Sequence, residues 1–236
     1  MYLVRDRLGA MVIRTPDGAE RFLAKHRIAL RYRPAKGLPL ASLYDAVPGG
    51  GEDPESQRLA TELTNDLIGR GIGAEVNVIA ARVCVIHRDL LPALVTLVRR
   101  GRRVDDGLSD AAQQVYEHLV EAKALTAGEV RKLLGAARSD RDDPAYDALS
   151  ELQRAMLVDR GPFTVPKRGA AYLAREGYPW RLLAAAHPES LRASKKLRVT
   201  DAARELLRGF ESVPPRKLAS MFKLALSTEE VRAALE

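Results

Sequence analysis

Two stretches of this chain open alike. Residues 108–119 read LSDAAQQVYEHL and residues 199–210 read VTDAARELLRGF. In each, a hydroxyl residue and an Asp-Ala-Ala run precede apolar positions at helical spacing, which predicts an amphipathic helix capped by Ser109 or Thr200. Each is followed by two more helices. After the first comes ALTAGEVRKLLG, with Thr126 and Glu129 spaced as a capping box and Gly135 as its stop. Pro144 then begins PAYDALSELQRAML, which places Tyr146, Leu149, Leu152 and Met156 on one face. Short apolar pieces around Asp159-Arg160-Gly161-Pro162 predict a hairpin turn there. Helix, short helix, helix, hairpin is the element order of a winged helix. After the second opening, Pro214 and Pro215 suit a helix start, and Ser227 with Glu230 forms another capping box. The sequence ends inside that third helix, so the later triplet reads as a helix-turn-helix-like unit without a wing.

The remainder divides around these triplets. Thr15 and Pro16 predict the start of a helix, with Phe22, Leu23 and Ile28 apolar. LPLASLYDAV (38–47) reads as a short apolar helix, and VPGGGEDPES (47–56) as a break. An amphipathic helix follows, with Leu59, Leu63, Leu67 and Ile68 on one face. AEVNVIAARVCVIH (74–87) reads as one or two strands, and RDLLPALVTLVRRG as a helix with Asp89 as its cap. RRGRRVDDG (99–107) reads as a linker whose four arginines suit phosphate. The expected class is mainly α with small β-hairpins (α+β), built from tandem winged-helix or helix-turn-helix units. The expected domains are an α/β winged-helix-like unit over 1–100, a central winged helix over 108–178 and a helical unit over 179–236.

Charge narrows the partners. The formal net charge is +7, and only nine of the 38 basic residues are lysine. Such a balance favours an anionic partner, nucleic acid first, and arginine suits bidentate phosphate contacts. An arginine- and alanine-rich composition also follows from a GC-rich genome. One cysteine, Cys84, excludes an internal disulfide and a thiolate zinc cluster, and His26, His87, His118 and His187 show no i, i+4 spacing. No cofactor and no metal are expected. Glu52, Asp53 and Glu55, like Asp105 and Asp106, read as solvated turns, and GRGIGAEV (69–76) precedes its strand, the wrong order for a dinucleotide fingerprint. With no apolar run near the ~20 residues that span a bilayer, the expected location is cytoplasmic, associated with the nucleoid, with no membrane partner.

Three phrases carry a family resemblance. FLAKHRIALRYRPAKGLPLASLYDAV (22–47), residues 108–161 and ESVPPRKLASMFKLALSTEEVRAAL (211–235) resemble the multi-winged-helix proteins related to bacterial crosslink-repair DNA glycosylases, the AlkZ-like family. That resemblance implies a tandem array of winged helices around duplex DNA. Its catalytic members use Gln-x-Asp or Gln-x-Gln to activate water. Here Gln57, Gln113, Gln114 and Gln153 are followed two positions on by Leu59, Val115, Tyr116 and Ala155, so the motif is absent.

These readings predict a non-catalytic protein that holds double-stranded DNA mainly through phosphate contacts. The alternatives are a glycosylase acting on alkylated or crosslinked bases and a winged-helix interaction scaffold; a homo-oligomer is compatible with all three. In the central unit the third helix should expose Ser150, Gln153 and Arg154, with Gln153 suited to adenine and Arg154 to guanine or phosphate. Arg138 and Arg141 before it, Arg160 at the turn, and Lys167 and Arg168 in the wing add phosphate contacts. Towards the C-terminus, Lys195, Lys196, Arg216 and Lys217 complete the expected interface.

Overall fold

The structure, a computed structural model, describes residues 12–33, 37–80, 82–101, 106–137, 142–163 and 177–236. Helix α1 (Pro16–His26) starts where its sequence predicts, the Thr15 hydroxyl accepting from Gly18 N at 3.2 Å. Arg27, with φ 60°, turns the chain into β1 (Ile28–Leu30). The segment expected as one short helix is split into β2 (Ala41–Ser42) and α2 (Leu43–Ala46), because Ser42 caps the helix late, accepting from Asp45 N. A glycine turn follows. Gly51 has φ 66°, and a Cβ there would lie 2.4 Å from the Tyr44 ring, so only glycine fits. Helix α3 (Pro54–Gly69) leads into the hairpin β3 (Gly73–Ile79) and β4 (Arg82–His87), then α4 (Leu91–Arg99).

These strands form one sheet in the order β2–β1–β4–β3, with β1 parallel to β2 and the other pairs antiparallel. Period-two alternation gives the sheet two apolar faces. Ala29 and Val85 pack with Phe22 and Leu23 of α1 and with Leu63 and Leu67 of α3. Ile28, Leu30, Val76, Cys84 and Ile86 pack on the opposite side with Leu91 and Leu94 of α4. Asp89 does not cap α4: Leu90 takes that place, and Asp89 lies 3.5 Å from His87 Nδ1.

The next unit runs α5 (Asp110–Ala122), β5 (Ala124–Leu125), α6 (Ala127–Leu133), α7 (Pro144–Arg154), β6 (Val158–Arg160) and β7 (Trp180–Leu182). Ser109 caps α5, and Thr126 and Glu129 form the expected capping box. The three strands pair antiparallel in the order β5–β7–β6, over a core that includes Val115, Leu119, Val130, Leu149, Leu152 and Trp180. The turn expected at 159–162 is not a turn. Asp159 and Arg160 belong to β6 and pair with Arg181 and Trp180.

Helices α8 (Leu183–Ala186), α9 (Pro188–Ser194), α10 (Val199–Leu207), α11 (Pro215–Met221) and α12 (Thr228–Leu235) follow. Ser227 and Glu230 cap α12 as predicted, but Thr200 caps nothing. Helix α10 begins two residues earlier than a Thr200 cap requires, at Val199, with Arg198 as N-cap and its guanidinium on Asp201. The C-terminal helices do not build a core of their own. Leu206, Leu207, Phe222 and Val231 bury into the same cluster as Ile28, Val76 and Leu94, with α10 packed against α4. The first arginines of the expected linker also belong to the fold. Arg99 donates to the Met156 carbonyl at 2.5 Å, and Arg100 pairs with Glu230. Residues 102–105 lie outside the described residues.

Candidate nucleic-acid interface and the buried charges behind it

Helix α7 is the element that the winged-helix reading would send into the major groove. Its apolar face is set by Ala145, Ala148, Leu149 and Leu152, all buried. A further side packs on β3. Gln153, expected to be exposed, is buried there, its Nε2 donating to the Glu75 backbone carbonyl at 2.9 Å. Glu151 accepts from the backbone N and the hydroxyl of Ser109, at 2.6 and 2.7 Å, which fastens the start of α5. Asp147 and Arg154 remain exposed, and Arg154 has no acidic partner among the described residues. The reason for the misplacement is packing: the helix is covered on two sides, by its own unit and by β3.

Arg160 is also displaced from its expected role. Its side chain is 14% exposed, with Nη1 3.0 Å from Glu75 Oε1. Glu75 is fully buried, and its other oxygen accepts from Arg31 Nη1 at 2.5 Å. Arg31 Nη2 donates to the Tyr178 hydroxyl at 2.7 Å. The two guanidinium groups alternate with aromatic rings. Arg31 lies 5.4 Å from the Tyr32 centroid and 5.1 Å from that of Tyr178, while Arg160 lies 4.9 Å from Tyr178 and 5.0 Å from Trp180. One carboxylate cannot balance two buried cations, and the negative faces of these rings supply the rest of the stabilisation. Burial alone would push the Glu75 carboxyl up, but Arg160 and Arg31 outweigh it and hold it below its ordinary value. The Tyr178 hydroxyl is pushed up to about 12, chiefly by burial. A carboxylate kept ionised by two arginines and shut from solvent is a poor general base.

Two further buried ion pairs brace the central unit. Arg181 donates to both Asp159 oxygens at 3.0 and 3.1 Å, and His187 Nε2 lies 3.3 Å from Asp159 Oδ2. Arg131 grips Asp143, whose other oxygen caps α7. Much of the arginine excess is thus spent inside the fold. The exposed cations lie elsewhere. Lys195 and Lys196 are exposed at the end of α9, and Arg216 and Lys217 in the first turn of α11, with Lys223 just beyond that helix. None of these five has an acidic partner among the described residues. Arg138, Arg141, Lys167 and Arg168 lie outside the described residues. Among the described residues no three His, Cys, Asp or Glu side chains group as a metal site, and no helix is long and apolar enough to cross a membrane.

The buried cluster was not among the expected site residues, although one signal for it stands in the sequence. Glu75 interrupts the apolar run Ala74–Ile79, and a charge in a strand that reads as core needs a buried partner.

Residues 77–224, more than half of the chain, match the family described as AlkZ related. The chain belongs to the AlkZ-related family. That family is related to DNA repair. The matched span begins at Asn77 in β3 and ends just after α11, so it takes in the whole central unit and the exposed cations at 195–196 and 216–217. Comparison with curated proteins and with solved structures returned no match.

Proposed function

We propose that this AlkZ-related chain is a DNA-binding protein that holds duplex DNA through winged-helix units, mainly by phosphate contacts and without catalysis. The observation that carries the reading is the division of its cations. The arginines of the interior are paired or stacked, whereas Lys195, Lys196, Arg216, Lys217 and Lys223 are exposed and without acidic partners among the described residues. Membership of a family related to DNA repair supports it. So does the order α5–β5–α6–α7–β6–β7 with the sheet order β5–β7–β6, which is what a winged helix requires. Arg138, Arg141, Arg154, Lys167 and Arg168 are proposed as further phosphate contacts. Gln153 and Arg160 are not, because their side chains are committed to Glu75.

Fluorescence anisotropy on a short labelled duplex tests the proposal. The logarithm of affinity should fall linearly with the logarithm of salt, with a slope of about −0.9 for each phosphate neutralised. The quadruple variant K195E/K196E/R216E/K217E should bind more weakly and with a shallower slope. Undetectable binding at low salt would remove the reading. Abasic product from alkylated or crosslinked duplex would replace it with the glycosylase reading, which the missing Gln-x-Asp or Gln-x-Gln motif argues against.

A further inference from the structure

The cluster around Glu75 joins segments that are remote in sequence. Arg31 follows β1, and Glu75 lies in β3, both on the four-stranded sheet. Arg160 ends β6 and Trp180 begins β7, on the three-stranded one. The contact continues at the same junction. Phe163 N donates to Asn65 Oδ1 of α3 at 3.1 Å, Asn65 Nδ2 donates back to the Phe163 carbonyl, and the Phe163 ring meets Tyr178 edge-on at 4.1 Å. The places where the chain leaves β6 and re-enters β7 are therefore both gripped by the N-terminal layer. The contacts at the junction depend on direction: a carboxylate with one guanidinium within 3.0 Å of each oxygen, and a stack of Tyr32, Arg31, Tyr178, Arg160 and Trp180, while Arg31 Nε, Arg160 Nε and Trp180 Nε1 are buried without a hydrogen-bond partner.

Buried ion pairs contribute little net stability, because desolvation cancels most of the attraction; what they can specify is a single arrangement. An apolar junction of the same size would tolerate sliding and rotation, whereas this one keeps its two ion pairs and its stacking only when four segments meet in register. We propose that the Arg31–Glu75–Arg160–Tyr178 cluster is an orientation lock, which fixes the β5–β7–β6 unit at one angle on the four-stranded sheet and adds little to overall stability. The lock goes beyond the DNA-binding reading and does not depend on it.

Spin labels on two exposed positions, Arg21→Cys in α1 and Gln114→Cys in α5, in a Cys84→Ala background, report the angle as a distance distribution by pulsed electron resonance. The intact cluster should give one narrow peak. The apolar triple variant Arg31→Met/Glu75→Leu/Arg160→Met should keep a thermal midpoint near that of the parent yet lose the narrow peak. Arg160→Lys keeps the charge but not the planar face, and should broaden the peak without unfolding the chain. A narrow peak at the parent distance in the triple variant overturns the lock, and the same result in Arg160→Lys overturns it if the triple variant fails to fold. A triple variant that folds with a narrow peak lost and a midpoint far below the parent's also overturns it, by making the cluster an ordinary stabilising contact.

Discussion

Glu75 occupies a strand position whose neighbours Ala74 and Val76 are wholly buried, and its carboxylate is the sole anion within reach of both Arg31 and Arg160 among the described residues. Replacing it alone leaves two guanidinium groups in a dry interior, and breaking a buried pair in this way costs about 3–5 kcal/mol. Glu75→Leu should therefore lower the urea midpoint sharply, while Arg154→Ala, at an exposed position, should leave it unchanged. The acid limb carries a second signature. The folded carboxyl lies below its ordinary value of 4.5, so its contribution is complete above that pH and is lost as pH falls through the folded value. Thermal melts should thus show stability declining on the acid side in the parent, and a shallower decline in the variant lacking Arg31, Glu75 and Arg160. At this scale the sequence was partly legible. A glutamate amid apolar residues announces a partner, but nothing local names Arg31, 44 positions away, or Tyr178.

Local chemistry is most visible at the ends of elements. Thr15, Ser109, Thr126 and Ser227 cap the helices predicted for them, because an N-cap is decided within four residues. The two similar openings separate cleanly in the structure. Ser109 accepts from Ala112 N and donates to Glu151, whereas Thr200 sits inside α10 and its start is held by Arg198 and Asp201. Ser109→Ala should cost about 1 kcal/mol in denaturant unfolding, and Thr200→Ala should be close to neutral. Residues 159–162 depart from the expected turn for the complementary reason. Asp-Arg-Gly-Pro has turn chemistry, but the partner strand for β6 is β7, and pairing with residues 180–182 outweighs a local preference. Helix α7 shows the same limit: its period gave the buried face correctly, yet Gln153 is claimed by β3, which no periodicity reports.

For the molecule as a whole, the central unit packs around a core of its own, whereas the N-terminal and C-terminal segments share one. The cluster containing Ile28, Val76, Leu94, Leu206 and Phe222 runs from β1 to α12, and Arg27 of the α1 end is tied to Glu205 of α10. Removing residues 199–236 should expose the part of this core that they cover, including the side of α4 under α10, and the product is expected to lose cooperative unfolding and bind a hydrophobic dye. A fragment that melts with a single sharp transition would contradict this shared core. Composition does not say where the arginines go. An excess of arginine reads as a surface for anions, but Arg27, Arg31, Arg99, Arg100, Arg131, Arg160 and Arg181 all tie parts of the fold together.

Gln153 has one more consequence. In the order β2–β1–β4–β3, the outer strands are β2, two residues long, and β3, seven residues long. An open strand of that length is a template for pairing with another chain. The Gln153 amide occupies a carbonyl of β3 while α7 lies along it, and the shortness of β2 protects the other side. The helix that a groove reader would have left free thus covers part of the longer open edge of the sheet.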